Sequence, residues 1–304
     1  MNFTPELQTE SDKFYTLSAL DTAFKTGSVL TSRALLFNRA KELIFDLGAC
    51  TGVMPFAECA IGLGEGTQKD IAAVTRVGHK CQFIITDIKF NQDGVPYCLL
   101  SRTRLQTQCH LAYLDQLPLG SVIPCLVTYI ESFGAFCDVG CGISALLPID
   151  CMSVSRISSP CDRICVGQNL FCAVKSRDAQ NRLVLTMKEL LGTWQENASV
   201  FETGETVLGI VRSIEEYGVF IELTPNLAGL AEVTEGITVG ETVSVYIKSI
   251  LPQKMKIKLI ILSKASPVTS KTRTELFYTQ TSGVLGKWTY SPVDCLKTLE
   301  TIFE

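Results

Sequence analysis

Two short stretches carry ring pairs at one spacing. Phe133-Gly-Ala-Phe136 and Tyr217-Gly-Val-Phe220 each set two aromatics three residues apart, with a glycine directly after the first. On an unbroken strand such residues point to opposite faces. If the first ring sits in the turn between two strands, and the glycine takes a conformation other residues avoid, both rings reach the same outer surface. Paired exposed rings make a platform on which nucleobases stack, at ~1–3 kcal/mol per base with little sequence preference. The competing reading places both rings in a core or at a contact between domains. Further on, Lys254, Lys256 and Lys258 alternate along one expected strand face and gather positive charge locally. A solvated edge strand protected by lysines shows the same pattern.

Other chemistries find little support. The chain holds 13 Cys but only two His, His79 and His110, and no Cys-x-x-Cys. A tetrahedral zinc site needs four ligands, usually with close pairs, so the cysteines read as small core hydrophobes. The glycine-rich stretch from Gly62 to Gln68 lacks a following Gly-Lys-Ser/Thr and falls in a barrel loop, not between a parallel strand and a helix. No Ser-His-Asp set stands out, so no catalytic residue, cofactor or metal is expected. A net charge of −4 excludes a globally basic nucleic-acid binder; any anionic partner must meet a local patch. The acidic, polar start does not resemble a secretory signal, and the apolar run at Ile257 to Leu262 is too short to span a bilayer. A cytoplasmic monomer with reduced thiols and no membrane association is expected.

The positioning elements come from a repeat. Units open at Thr26, Leu119 and Thr203, the first two with a period of about 80–90 residues. Each passes through a looser polar stretch to a Val-Gly and a long alternating strand, starting at Val77, Val166 and Val239, and closes with one more strand. Five short alternating strands per unit imply a small Greek-key barrel, the OB-fold. The fold expected is all-β with connecting helices, as three tandem five-stranded barrels. One connecting helix is expected around Leu105, Cys109, Ala112, Tyr113 and Leu117, another around Leu190, Leu191, Trp194, Ala198 and Phe201. Expected divisions are an arm at 1–25, a degenerate barrel at 26–108, barrels at 109–200 and 201–264, and a linker with a C-terminal helix at 265–304. That helix would start with Ser291 as N-cap and Pro292 in its first turn.

Over residues 25–264 these units resemble the S-1 RNA-binding domain. The shared features are the Gly-x-Val entry, one residue longer in the third unit, the Phe-Gly-x-Phe stretch, a Gly-Leu before the family's His, the Val-Gly and the last strand. The third unit, with the Glu189 to Ala198 stretch before it, looks most like a group of cytoplasmic bacterial proteins of this kind. The resemblance implies an RNA surface of two aromatics, a His, and an Asp and Arg four apart. Phe133, Phe136, Asp178 and Arg182 match in the second unit, with Pro148 at the His position. Tyr217 and Phe220 match in the third, with Lys256 for the Arg, Pro252 for the Asp and Ala231 for the His. The first unit has Lys41 and Ile44 for the rings, Pro55 for the His and Tyr97 for the Arg, keeping the frame without the platform. The implied partner is single-stranded RNA or mRNA, with the ribosome as a setting; the alternative is a protein-interaction scaffold with little RNA affinity.

Overall fold

Period-two burial turns each repeat into strands that bury one side. The computed structural model describes residues 3–7, 12–265 and 276–304. Strands β1 (Leu30–Phe37), β2 (Glu42–Asp46), β3 (Thr51–Pro55), β4 (Lys80–Phe90) and β5 (Pro96–Ser101) close the first barrel. The second comprises β6 (Val122–Glu131), β7 (Gly134–Asp138), β8 (Ser144–Pro148), β9 (Asn169–Arg177) and β10 (Leu183–Thr186). The third comprises β11 (Thr206–Glu215), β12 (Gly218–Thr224), β13 (Leu227–Ala231), β14 (Thr242–Leu251) and β15 (Lys256–Lys264). In all three the strand order is first-second-third-fifth-fourth, and the third and fifth strands pair in parallel. That closure is the OB arrangement.

Contacts divide the chain into two units, 1–117 with 138–144 and 118–137 with 145–304. In the first, Phe45 and Phe83 meet at 5.1 Å inside the barrel, among Leu43, Met54 and Leu100. The N-terminal region is more than an arm. Helix α1 (Leu17–Thr26), capped by the Thr16 hydroxyl, adds Leu20 and Ala23 to that core. Between β3 and β4 the loop includes the short helix α2 (Ile71–Val74). Helix α3 (Arg102–Ala112) starts at the Ser101 cap and buries Leu105 and Cys109, so it runs across the boundary expected at 108. Its Arg102 is also buried, with Nε and Nη2 donating to the Glu6 carboxylate at 2.9 and 3.0 Å.

Two local expectations change. The second connector is not one helix, because Gly192 sits at φ 83 and breaks it. A single turn over Lys188–Leu190 precedes the break, and α4 (Trp194–Ala198) restarts from a Thr193/Glu196 capping box. The C-terminal helix is absent; the tail pairs β16 (Lys287–Thr289) with β17 (Glu300–Ile302). The Ser291 hydroxyl accepts from the Leu299 N–H, eight residues on, which closes a loop where a cap would start a helix. Trp288, Tyr290 and Phe303 are buried while Leu296 is exposed, so the expected helical stripe does not form. Most of the expected linker, 266–275, lies outside the described residues. Nine of the thirteen cysteines are buried, in keeping with their reading as core hydrophobes.

One ionic cluster joins the second and third barrels inside their shared unit. Glu222 on β12 accepts from Arg163 Nη1 and Nη2 at 2.8 and 2.7 Å, and from Arg212 Nε and Nη2 at 2.8 and 3.1 Å. Arg163 belongs to the connection from β8 to β9, and its side chain is fully buried. Asn226 adds neutral links, donating to the Lys188 and Gly192 carbonyls and accepting from the Val154 N–H. Burial opposes ionisation of Glu222, but hydrogen bonds from the two arginines and their charges outweigh it and hold the carboxyl below its ordinary value. Such a group adds stability above the unfolded-state pKa and loses it as pH falls through the folded one.

Removing the shared carboxylate strands the fully buried Arg163 guanidinium and leaves Arg212 only the longer pair with Asp162 at 3.8 Å. Glu222→Ala is therefore expected to destabilise this unit by about 3–5 kcal/mol in chemical denaturation and to flatten its loss of stability in acid. Lys264→Ala, which breaks an exposed pair with Glu241, should cost no more than about 1 kcal/mol.

Candidate nucleic-acid interface

Phe133 and Tyr217 each occupy the turn at the tip of a hairpin, β6–β7 and β11–β12. Both are exposed, Phe133 at 53% and Tyr217 at 71%, and their partners Phe136 and Phe220 are half-buried on the following strand. The rings emerge together in both barrels, with centroids 6.1 Å apart and planes at 88°. The pair is thus an edge-to-face corner and not one flat shelf, a preferred aromatic geometry that leaves two differently directed faces.

The glycine after each turn ring is required by a close backbone approach. A Cβ on Gly134 would lie 2.5 Å from the Leu147 carbonyl oxygen, and one on Gly218 would lie 2.6 Å from that of Ala231. These matching contacts place Leu147 and Ala231 at one position, the inward-facing end of the third strand. The residues that follow, Pro148 and Glu232, are therefore equivalent, as is Pro55, which pairs with Glu42 in the first barrel; Pro148 and Pro55 are the residues expected at the family's His position. Ala231, expected there, is buried; the misplacement is a one-residue slip, which exchanges the faces of a strand.

The hairpin from fourth to fifth strand brings up the charge. In the second barrel Asp178 Oδ1 accepts from the Gln180 and Arg182 N–H groups, and its Oδ2 receives Arg182 Nε at 2.7 Å. Hydrogen bonding from the Arg182 backbone, then its side chain, keeps the Asp178 carboxyl below its ordinary value. Asp178 thereby shapes the turn and steadies an exposed Arg182. The residue before Arg182, Asn181, has φ 60; Met255 before Lys256 has φ 47, and Gly94 before Val95 has φ 76. Val95, not Tyr97, is accordingly the first-barrel residue equivalent to Arg182 and Lys256.

The lysines are not one strand row. Lys254 sits in the Pro252–Lys254 turn, and only Lys256 and Lys258 lie on β15, alternating with buried Ile257 and Leu259. Register then supplies a relation spacing could not. Phe220 pairs with Leu230, and Leu230 with Lys258, so ring and cation lie in one cross-strand row. Lys248 was missed by sequence reasoning. It is the extra residue of a bulge between Ile247 and Ser249, exposed next to the Ser249 that pairs with Lys258. In the first barrel Lys41 pairs with Asp70 at 3.1 Å and stands over the Phe56 ring at 5.3 Å, with half-buried Ile44 beyond it, and no ring pair forms.

No protein-family model matches the chain. It is similar to the small ribosomal subunit protein bS1 homolog of Bacillus subtilis, 33% identical over 124 residues, 40% of this chain and 32% of the relative. It is 28% identical to small ribosomal subunit protein bS1 of Leuconostoc lactis over 178 residues, 53% of this chain and 41% of the relative. Against the bS1 of Rhizobium meliloti it is 26% identical over 223 residues, 71% of this chain and 37% of the relative. The chain therefore matches well under half the length of each. Among solved structures, a multidomain protein with nucleic acid binding domains from Streptococcus pneumoniae aligns over 81% of this chain and 76% of its own, at 12% identity and a TM-score of 0.26. The similarity to bS1 and the three closed five-stranded barrels agree with tandem S-1 repeats.

A methyl group at the close approach should open the hairpin that carries the rings. Gly134→Ala and Gly218→Ala are each expected to cost about 1–3 kcal/mol. Gly286→Ala, where a Cβ meets nothing within 4 Å, should be near neutral; thermal melts of the three variants check this.

Proposed function

We propose that this chain is a non-enzymatic RNA-binding protein that holds single-stranded RNA with little sequence preference. One observation carries the reading: two barrels present the same exposed ring corner, at the same 6.1 Å and 88°, and each carries a cation at the equivalent place where the last hairpin enters the fifth strand, Arg182 or Lys256. Bases stack on such rings whatever their identity, and the cations meet phosphates. The bS1 relatives support a cytoplasmic setting on mRNA or the ribosome. Two linked weak sites gain through effective concentration, so a monomer suffices. Phe133, Phe136, Asp178 and Arg182 form the fuller site; Tyr217, Phe220, Lys254, Lys256 and Lys258 form the second. Lys41 and Ile44, where rings would be, give the first barrel a structural or docking role.

The test is titration of a labelled oligo(U) or oligo(A) strand. Affinity in the micromolar range is expected, falling by about tenfold or more between roughly 50 and 200 mM salt as counterions compete for the phosphates. Phe133→Ala with Phe136→Ala should weaken binding while the melting curve stays cooperative. Parent-like affinity in that double variant removes the rings from the interface, and salt-insensitive binding favours a protein scaffold.

A further inference from the structure

The two ring-bearing barrels share a backbone frame but not its outer decoration. In the third barrel the row across the sheet reads Ser213, Phe220, Leu230, Lys258 and Ser249. The corresponding positions of the second barrel are Tyr129, Phe136, Leu146, Val184 and Ser176. The parallel pairing of Leu146 with Val184 and the antiparallel pairing of Val184 with Ser176 fix three of them. Tyr129 follows from its place four residues before the turn ring Phe133, as Ser213 is four before Tyr217. Three differences result. Tyr129 is an aromatic, 57% exposed, where the third barrel has a serine. Val184 stands where the third barrel has Lys258. The bulge residue between Val174 and Ser176 is Lys175, whose Nζ meets the buried Cys151 Sγ at 3.1 Å, whereas its counterpart Lys248 is exposed.

We infer that the barrels weight the work differently: the second adds a third stacking ring, Tyr129, to Phe133 and Phe136, and the third, keeping its own ring corner, adds Lys248 and Lys258 to the phosphate contact of Lys256. This rests on the RNA-binding reading above and adds Tyr129 and Lys248 to its site. Stacking on neutral rings displaces no counterions, whereas each lysine–phosphate contact does. The contributions therefore separate by salt. The residues named on both barrels, from Tyr129 to Phe136 and from Ser213 to Lys258, lie in one unit of the chain.

The experiment uses the full chain and a labelled oligo(A) of about twelve nucleotides, within the span of small barrels of this kind. Affinity is measured across a salt series. Tyr129→Ala is expected to lose about fivefold or more in affinity at every salt concentration, with the slope of log affinity against log salt unchanged and Tyr129→Phe restoring the parent value. Replacing Lys248, Lys256 and Lys258 by Gln should shallow that slope by about 2, near 0.7 per phosphate contact on a single strand. Tyr129→Trp adds an exposed reporter to two buried tryptophans, Trp194 and Trp288, and its emission should be quenched on binding. Parent-like affinity in Tyr129→Ala, no quenching in Tyr129→Trp, or an unchanged slope in the lysine variant overturns this weighting. If Phe133→Ala with Phe136→Ala still weakens binding in that case, the RNA-binding reading stands. If the parent binds no oligo(A) at all, both fall.

Discussion

At the tip of each ring-bearing hairpin one strand backbone passes so near the next that no side chain fits between them. The Leu147 and Ala231 carbonyl oxygens fill the space a Cβ would take on Gly134 and Gly218. Everything proposed for the surface depends on that approach. It brings the third strand under the turn, so the turn ring is held outside the barrel while the residue between glycine and second ring, Ala135 or Val219, points into the core. Edge-to-face contact then fixes the second ring against the first. A tight sheet and an exposed aromatic corner are two results of one steric fact.

The first barrel shows what happens when the frame persists without that chemistry. Its strand order is the same, and Glu42 takes the glycine's place, pairing with Pro55 and hydrogen-bonded to Asn38. The barrel still closes around Phe45 and Phe83. Fold and surface are therefore separable: the inward residues close the barrel, and the outward ones vary freely among stacking, charged and inert decoration.

What could be read from the sequence was whatever depends on alternation. Strands, three barrels and the exposed ring pairs all follow from period-two burial and a glycine at a known offset. Features set by contacts distant in sequence were not legible. Ser291 looks like a helix cap until its hydroxyl is found on the Leu299 N–H. The stripe around Leu190 and Trp194 looks continuous until Gly192 takes a left-handed φ. Ala231 and Glu232 differ by one place, and only the contact with Gly218 tells which faces in. Lys248 gains its meaning from the adjoining Ser249, which pairs with Lys258 on the next strand, a relation fixed by a bulge and register, and Tyr129 only from its equivalence to Ser213, which pairs with Phe220.

The arginine-clasped Glu222 has a consequence for how the array should be regarded. Its carboxylate belongs to the third barrel, yet part of its solvation comes from Arg163 of the second. Repetition in the chain suggests beads that could be unstrung; the energetics do not. A third barrel cut free would keep the buried acid and lose one of its counterions, while the severed second would keep an arginine with nowhere to place its charge. Fragments would report weaker folding than the intact tandem, and the sum of their separate properties would understate the whole.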